Sequence, residues 1–322
     1  MSITPPGRFT GAGARVPSDG PRWLYAAPGR LRAPWRLMVF GLVLLVTQPI
    51  ADAVITPIVG AVGRAVAWRL EAYPWVTAVA VWAALAVALR SVDLAPWAAV
   101  GLDRSAWRPG RLLAGGLVGL GALGVTMGVL WVTGSVSLQA VGGDAGMTAD
   151  VWSTESWGRV AVRVGLFLAP AALWEEWIFR GYLWTVAEAA GGIQVARWST
   201  AVAFGLVHLL NPGVTVISTL AVVVAGLALG AVREGTGSLA VAWLAHWGWN
   251  WGMAALWHVP VSGIPFATPS YRTVVQGPVW WTGGAWGPEG GAAALVVLGT
   301  AVVGGTWWRT RTSQTRTGKV AS

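Results

Sequence analysis

The chain has 322 residues, 55% of them hydrophobic and 11% charged, with a mean hydropathy of +0.59. That balance excludes an ordinary soluble domain and predicts an integral membrane protein. The formal net charge of +9 comes without a basic helix carrying interleaved aromatics, so no nucleic-acid partner is expected, and the absence of Cys excludes disulfides, thiol catalysis and thiolate metal sites.

Residues 1–35 are rich in Pro, Gly and Arg and lack a short apolar core with a small-residue cleavage site, so they read as a disordered basic cytoplasmic arm and not as a cleaved signal peptide. Apolar runs then predict spans near 37–62, 73–89, 112–133, 160–190, 197–210, 214–232, 238–257 and 290–308. The fifth is short and is bounded by Pro212. Residues 309–322 read as a basic cytoplasmic tail. With no repeat of fixed period, the expectation is one all-α membrane domain over 36–308, a polytopic bundle of about eight transmembrane helices in contact with the lipid bilayer.

Orientation follows from the basic residues. Six Arg precede the first span, four lie between Arg90 and Arg111, and four basic residues follow the last span, whereas the connections 134–158 and 211–213 have none. The positive-inside rule places both termini in the cytoplasm, with the cell membrane as the expected location. Arg64, Arg69 and Arg272 are exceptions.

Within these apolar runs the stretch WEEWIFRGYLW, Trp174 to Trp184, holds three ionisable groups. An ionised side chain at the bilayer centre costs about 2.5–3.5 kcal/mol on insertion scales, so an intramembrane carboxylate points to function. Glu176 and Arg180 are four apart with the acid first, which allows an intrahelical ion pair of purely structural value. Glu175 is rotated about 100° away and meets Ile178 and Phe179 at its plus-three and plus-four positions, so its partner has to come from another helix. His208 ends FGLVH, and His246 begins HWGWN with Asn250 one turn later on the same face. At about 1.5 Å per residue from the expected cytoplasmic helix ends, Glu175, His208 and His246 lie ~22, ~17 and ~12 Å deep, close enough to converge. Each residue alone has a bland reading: a hydrogen-bonding His, an Asn that glues helices together. His258, at a span end before Pro260, keeps the bland reading.

The ordered set EEWIFR at 175–180, FGLVH at 204–208 and HWGWN at 246–250 resembles the EExxxR, FxxxH and HxxxN patterns of the CAAX protease and bacteriocin-processing (CPBP, or Abi) intramembrane proteases, which include the Ras-converting endopeptidase. The resemblance covers about residues 94–257. It implies an intramembrane endopeptidase with Glu175, His208, His246 and Asn250 as catalytic residues and Glu176 and Arg180 in support. The substrate it implies is a peptide or membrane protein, prenylated at its C-terminal tail for some members and unprenylated for others.

Two chemistries suit these residues. Glu175 can activate a water as general base, with His208 orienting that water and His246 with Asn250 donating to the oxyanion. Alternatively Glu175, His208 and His246 form an acceptable three-ligand zinc site, so the cofactor is either none or Zn2+. HExxH and GxSxG are absent. The non-enzymatic alternative is a transport or scaffold protein with a buried polar cluster, though transporters more often carry internal symmetry and matching broken helices.

Overall fold

A computed structural model describes residues 21, 23–27, 30–140, 156–266 and 271–304. The first described elements are a short antiparallel ribbon, β1 (Tyr25–Ala27) with β2 (Arg30–Leu31), and α1 (Ala33–Ala65) follows directly. Helical structure therefore begins inside the segment read as a disordered arm. Residues 1–20 of that arm and the tail at 309–322 lie outside the described residues.

The helices α2 (Tyr73–Val87), α3 (Pro109–Val132), α4 (Trp157–Glu176), α5 (Trp184–Val207), α6 (Val216–Thr236) and α7 (Leu239–Trp251) complete the bundle. Pro opens α1, α2 and α3 in their first turn, where no intrahelical N–H bond is forfeited. Thr215 and Ser218 close a reciprocal capping box on α6, and the Ser238 hydroxyl accepts from the Val241 N–H at the start of α7. Past α7 come β4 (Tyr271–Val275), the short α8 (Val279–Thr282) and an apolar helix α9 (Ala292–Gly304). β4 pairs in antiparallel register with β3 (Val136–Ala140), an extended ribbon between connections of the bundle.

Five helical stretches among the described residues are long and apolar enough to cross a membrane: Ala33–Ala65, Tyr73–Val92, Pro109–Val132, Trp157–Leu210 and Val216–Thr236. This supports the expected all-α membrane bundle, with fewer qualifying stretches than the eight spans expected. The difference has identifiable sources. Trp157–Leu210 is 54 residues long, far more than one crossing of about 20 residues needs. It bends at Gly192, whose φ of 81° and ψ of −178° leave the helical region, a conformation that glycine adopts without steric penalty. Its two limbs correspond to the fourth and fifth expected spans. The seventh expected span is the Trp-rich α7 with its extension, and the eighth contains α9, only 13 residues by its bounds. Large apolar side chains such as Leu45, 72% exposed, and Leu210, 90% exposed, cover the outside, as a lipid-facing surface requires.

Two contacts hold α7 at the centre. Against α3 the approach is so close that a Cβ on Gly119 would stand 1.9 Å from the Ala245 carbonyl oxygen. Against α4 the contact is a ladder of indoles. Trp243, Trp247 and Trp251 donate their ring N–H groups to the carbonyls of Ala169, Gly165 and Ala161 at 2.8, 3.3 and 3.0 Å. Trp157 returns the contact to the Ala255 carbonyl at 2.8 Å. All four bonds keep one antiparallel register, so the ladder fixes how far α4 slides along α7. A membrane helix gains little from burying apolar surface against a neighbour, which leaves such polar contacts to set the register. Trp243→Phe should keep the fold and lower its stability by ~1 kcal/mol, the typical net worth of one hydrogen bond. The thermal unfolding midpoint of the purified protein checks this; an unchanged midpoint would mean that packing alone sets the register.

Candidate active site

All three polar motifs lie where helices depart from regular geometry. A π-helical stretch, Trp177–Leu183, follows α4 directly after Glu176, and another, Gly252–Leu256, follows α7 after the HWGWN segment. Such wider turns recur at functional sites because they redirect side chains without ending the helix. His208 stands where α5 tightens into a 3-10 turn, His208–Leu210.

Glu176 and Arg180 form the expected ion pair at 2.9 Å, and both side chains are fully buried. The pair extends further than the sequence suggests. Arg180 also donates to the Gly226 carbonyl on α6 at 3.2 Å, and its guanidinium lies 4.2 Å from the ring centre of Phe204, the first residue of FGLVH. On the other side the same Glu176 oxygen lies 2.9 Å from His246 Nδ1. An ionised carboxylate accepts only, so His246 donates from Nδ1 and its Nε2 faces the other way. There it stands 3.9 Å from Glu175 Oε2, longer than a direct hydrogen bond and suited to a shared water. Arg180, Glu176 and His246 thus form a continuous chain through the protein that ends at Glu175.

His208 donates from Nδ1 to the Phe204 carbonyl at 2.7 Å, which leaves its Nε2 lone pair free. Both imidazoles pack around the Phe204 ring, with centroids 4.7 and 5.9 Å away. Glu175, His208, His246 and Asn250 line one cavity of about 680 Å³ whose remaining walls are mostly apolar, among them Phe167, Ile178 and Phe266. Glu175 is 19% exposed there, in contrast to the sealed Glu176. A narrower slot of about 90 Å³ reaches His208, His246 and Asn250 from the side of α3 and α6. His258 lines neither cavity; it bonds the Ala254 carbonyl at 3.1 Å and packs on Tyr271.

Glu289 was not singled out in the sequence. It lines the narrower slot, accepts from both the N–H and the hydroxyl of Ser262 at 2.6 Å, and accepts from the Trp249 indole at 3.2 Å. Ser262 lines both cavities, so Glu289 ties the connection after α7 to the wall of the site. Only its charge in a Gly- and Pro-rich, otherwise apolar stretch hinted at this. Glu289→Ala would leave three donors without that partner and should cost ~1.5–3 kcal/mol for the charged hydrogen bonding lost, seen as a lower unfolding midpoint. A variant of unchanged stability would show that the connection is held by other contacts.

Zinc tests differently. Among the described residues no three His, Cys, Asp or Glu side chains converge closely enough to hold one ion, so Glu175, His208 and His246 as placed do not match a three-ligand zinc site.

Residues 157–252 match a family model described as type II CAAX prenyl endopeptidase Rce1-like. Comparison with curated proteins and with solved structures gives no match. The matched segment contains all three motifs and the whole of the α4–α7 framework that brings them together. Over this segment the match supports the resemblance to the CAAX protease and bacteriocin-processing family read from the three motifs.

Proposed function

We propose that the protein is an intramembrane endopeptidase that hydrolyses a peptide bond with a water activated at Glu175. The observation that carries this reading is the meeting of Glu175, His208, His246 and Asn250 on one cavity within a membrane bundle. Glu175 takes a proton from the water, the water oxygen attacks the scissile carbonyl, and the protonated Glu175 passes the proton to the leaving amine. His208, with its Nε2 free, accepts a hydrogen bond that orients the water. His246 and Asn250 stabilise the tetrahedral oxyanion. Glu176 takes the Nδ1–H of His246, so donation to the oxyanion comes from the Nε2–H of the imidazolium, whose charge Glu176 balances from behind, and Arg180 pairs with Glu176 in turn.

A purely structural cluster accounts for Arg180, Glu176 and His246. It gives no role to Glu175, a second carboxylate partly exposed in an apolar cavity. The substrate is a peptide or membrane protein, and the site of action is the cell membrane with both termini in the cytoplasm.

The test is proteolysis by purified wild-type and Glu175→Gln protein, with zinc stoichiometry measured on the same preparations. Turnover by the wild type alone, without bound zinc, supports the glutamate mechanism. Turnover that tracks zinc content and is lost with His246→Ala would replace it with metal chemistry. No turnover by either protein on membrane-peptide substrates would remove the enzyme reading.

A further inference from the structure

The two ends of the bundle differ in charge, and the site opens toward only one of them. At the first end the connection 90–111 meets the start of α7: Gly101 accepts from the Leu239 N–H at 3.0 Å, and the Arg111 guanidinium bonds the Thr236 carbonyl. Thr185, at the start of α5, bonds the Ala99 carbonyl at the same end, where Arg36 pairs with Asp93 and Arg197 with Glu234. The last turns of α9 lie beside Arg197 and Glu234. Among the described residues nine Arg sit at this end and five at the other, with Arg180 buried between; the remaining seven Lys and Arg precede β1 or follow α9 in the sequence.

The second end is drawn together by Arg159 on the Ala67 carbonyl, Asn211 on the Ser262 carbonyl and Tyr271 on the Leu256 carbonyl, at 2.7, 3.1 and 2.6 Å. The large cavity belongs to this end. Its outer walls are Tyr73, Asn211, Ser262, Ile264 and Phe266, and it runs inward past Phe167 and Glu175 to Leu183. No residue of 90–111, 190–200 or 230–240 lines it. The slot that extends along α6 toward Val232 measures only about 90 Å³, well below the ~300–1,000 Å³ of ordinary ligand pockets.

Basic connections are retained in the cytoplasm. We infer that the site opens to the extracytoplasmic side of the membrane and takes its substrates there: exported peptides, or the external segments of membrane proteins next to their spans, in place of cytosolic C-terminal tails. The substrate class rests on the protease reading given above; the sidedness does not. The apolar walls that surround Glu175 suit a chain segment that leaves the membrane surface in extended form.

The absence of Cys permits a clean test by single substitutions. Ile264→Cys at the cavity mouth and Arg104→Cys at the basic end are treated, in intact cells expressing the full chain, with a membrane-impermeant maleimide before and after lysis. Ile264→Cys should label fully before lysis and Arg104→Cys only after it. The reverse pattern would overturn the inference while leaving the protease reading untouched. In parallel, new protein termini are compared between cells expressing wild-type and Glu175→Gln protein. Glu175-dependent termini should fall in extracytoplasmic segments, and termini confined to cytoplasmic segments would overturn the substrate class. With the expected labelling but no Glu175-dependent termini, the protease reading falls and takes the substrate class with it, while the sidedness stands.

Discussion

Glu175→Gln should abolish proteolysis while leaving the fold intact. The amide keeps the shape of the side chain and some of its hydrogen bonding but does not take the proton of the attacking water. Loss of a general base costs ~10²–10⁴ in rate, and the cost should reach the upper part of that range because Glu175 also positions the water against His246 Nε2, 3.9 Å away. The fold should survive because Glu175 is partly exposed in the cavity and is not a member of the sealed Arg180–Glu176 pair. Asn250→Ala removes only one oxyanion donor and should cost ~10²–10³. Initial rates on the purified variants, with unfolding midpoints alongside, check both expectations.

Arg180→Ala should damage the fold before it damages chemistry. It leaves the fully buried Glu176 facing His246 without its cation and strips the Gly226 carbonyl of a donor. Breaking a buried ion pair by removing one partner costs ~3–5 kcal/mol, a large share of the 5–15 kcal/mol that typically separates folded from unfolded protein. Folded yield from detergent-solubilised membranes and the thermal midpoint should both fall. Normal yield and stability with lost turnover would instead move Arg180 into the reaction.

The parts of the site readable from sequence were those fixed by local geometry. Glu176 and Arg180 are neighbours in any helix, as are His246 and Asn250, so their spacing alone set the first pair and the shared face of the second. The contact between Glu176 and His246 was not readable in that way. It joins residues 70 apart, and it depends on the register of α4 along α7, which the indole ladder sets. The high Trp count of 24 is plain in the sequence, but a count carries no register. Glu289 and Ser262 were hidden for another reason: the chain between α7 and α9 has no sustained helical period, so nothing in it predicted which side chain turns inward. The π-helical turns after Glu176 and Trp251 likewise carry no residue pattern that distinguishes them from regular helix. The span count departed from expectation in three places: the fourth and fifth spans run on as one helical stretch bent at Gly192, and the Trp-rich α7 and the short α9 fall short in hydropathy or length.

The central claim is that Glu175 directs a water onto a peptide bond. Its most direct test is cleavage in heavy-oxygen water by the purified full chain, with mass spectrometry of the new C-terminus. The account predicts a heavy oxygen in the newly formed carboxylate with the wild type and no product with a well-folded Glu175→Gln protein; product formed by that variant at the wild-type rate would contradict it.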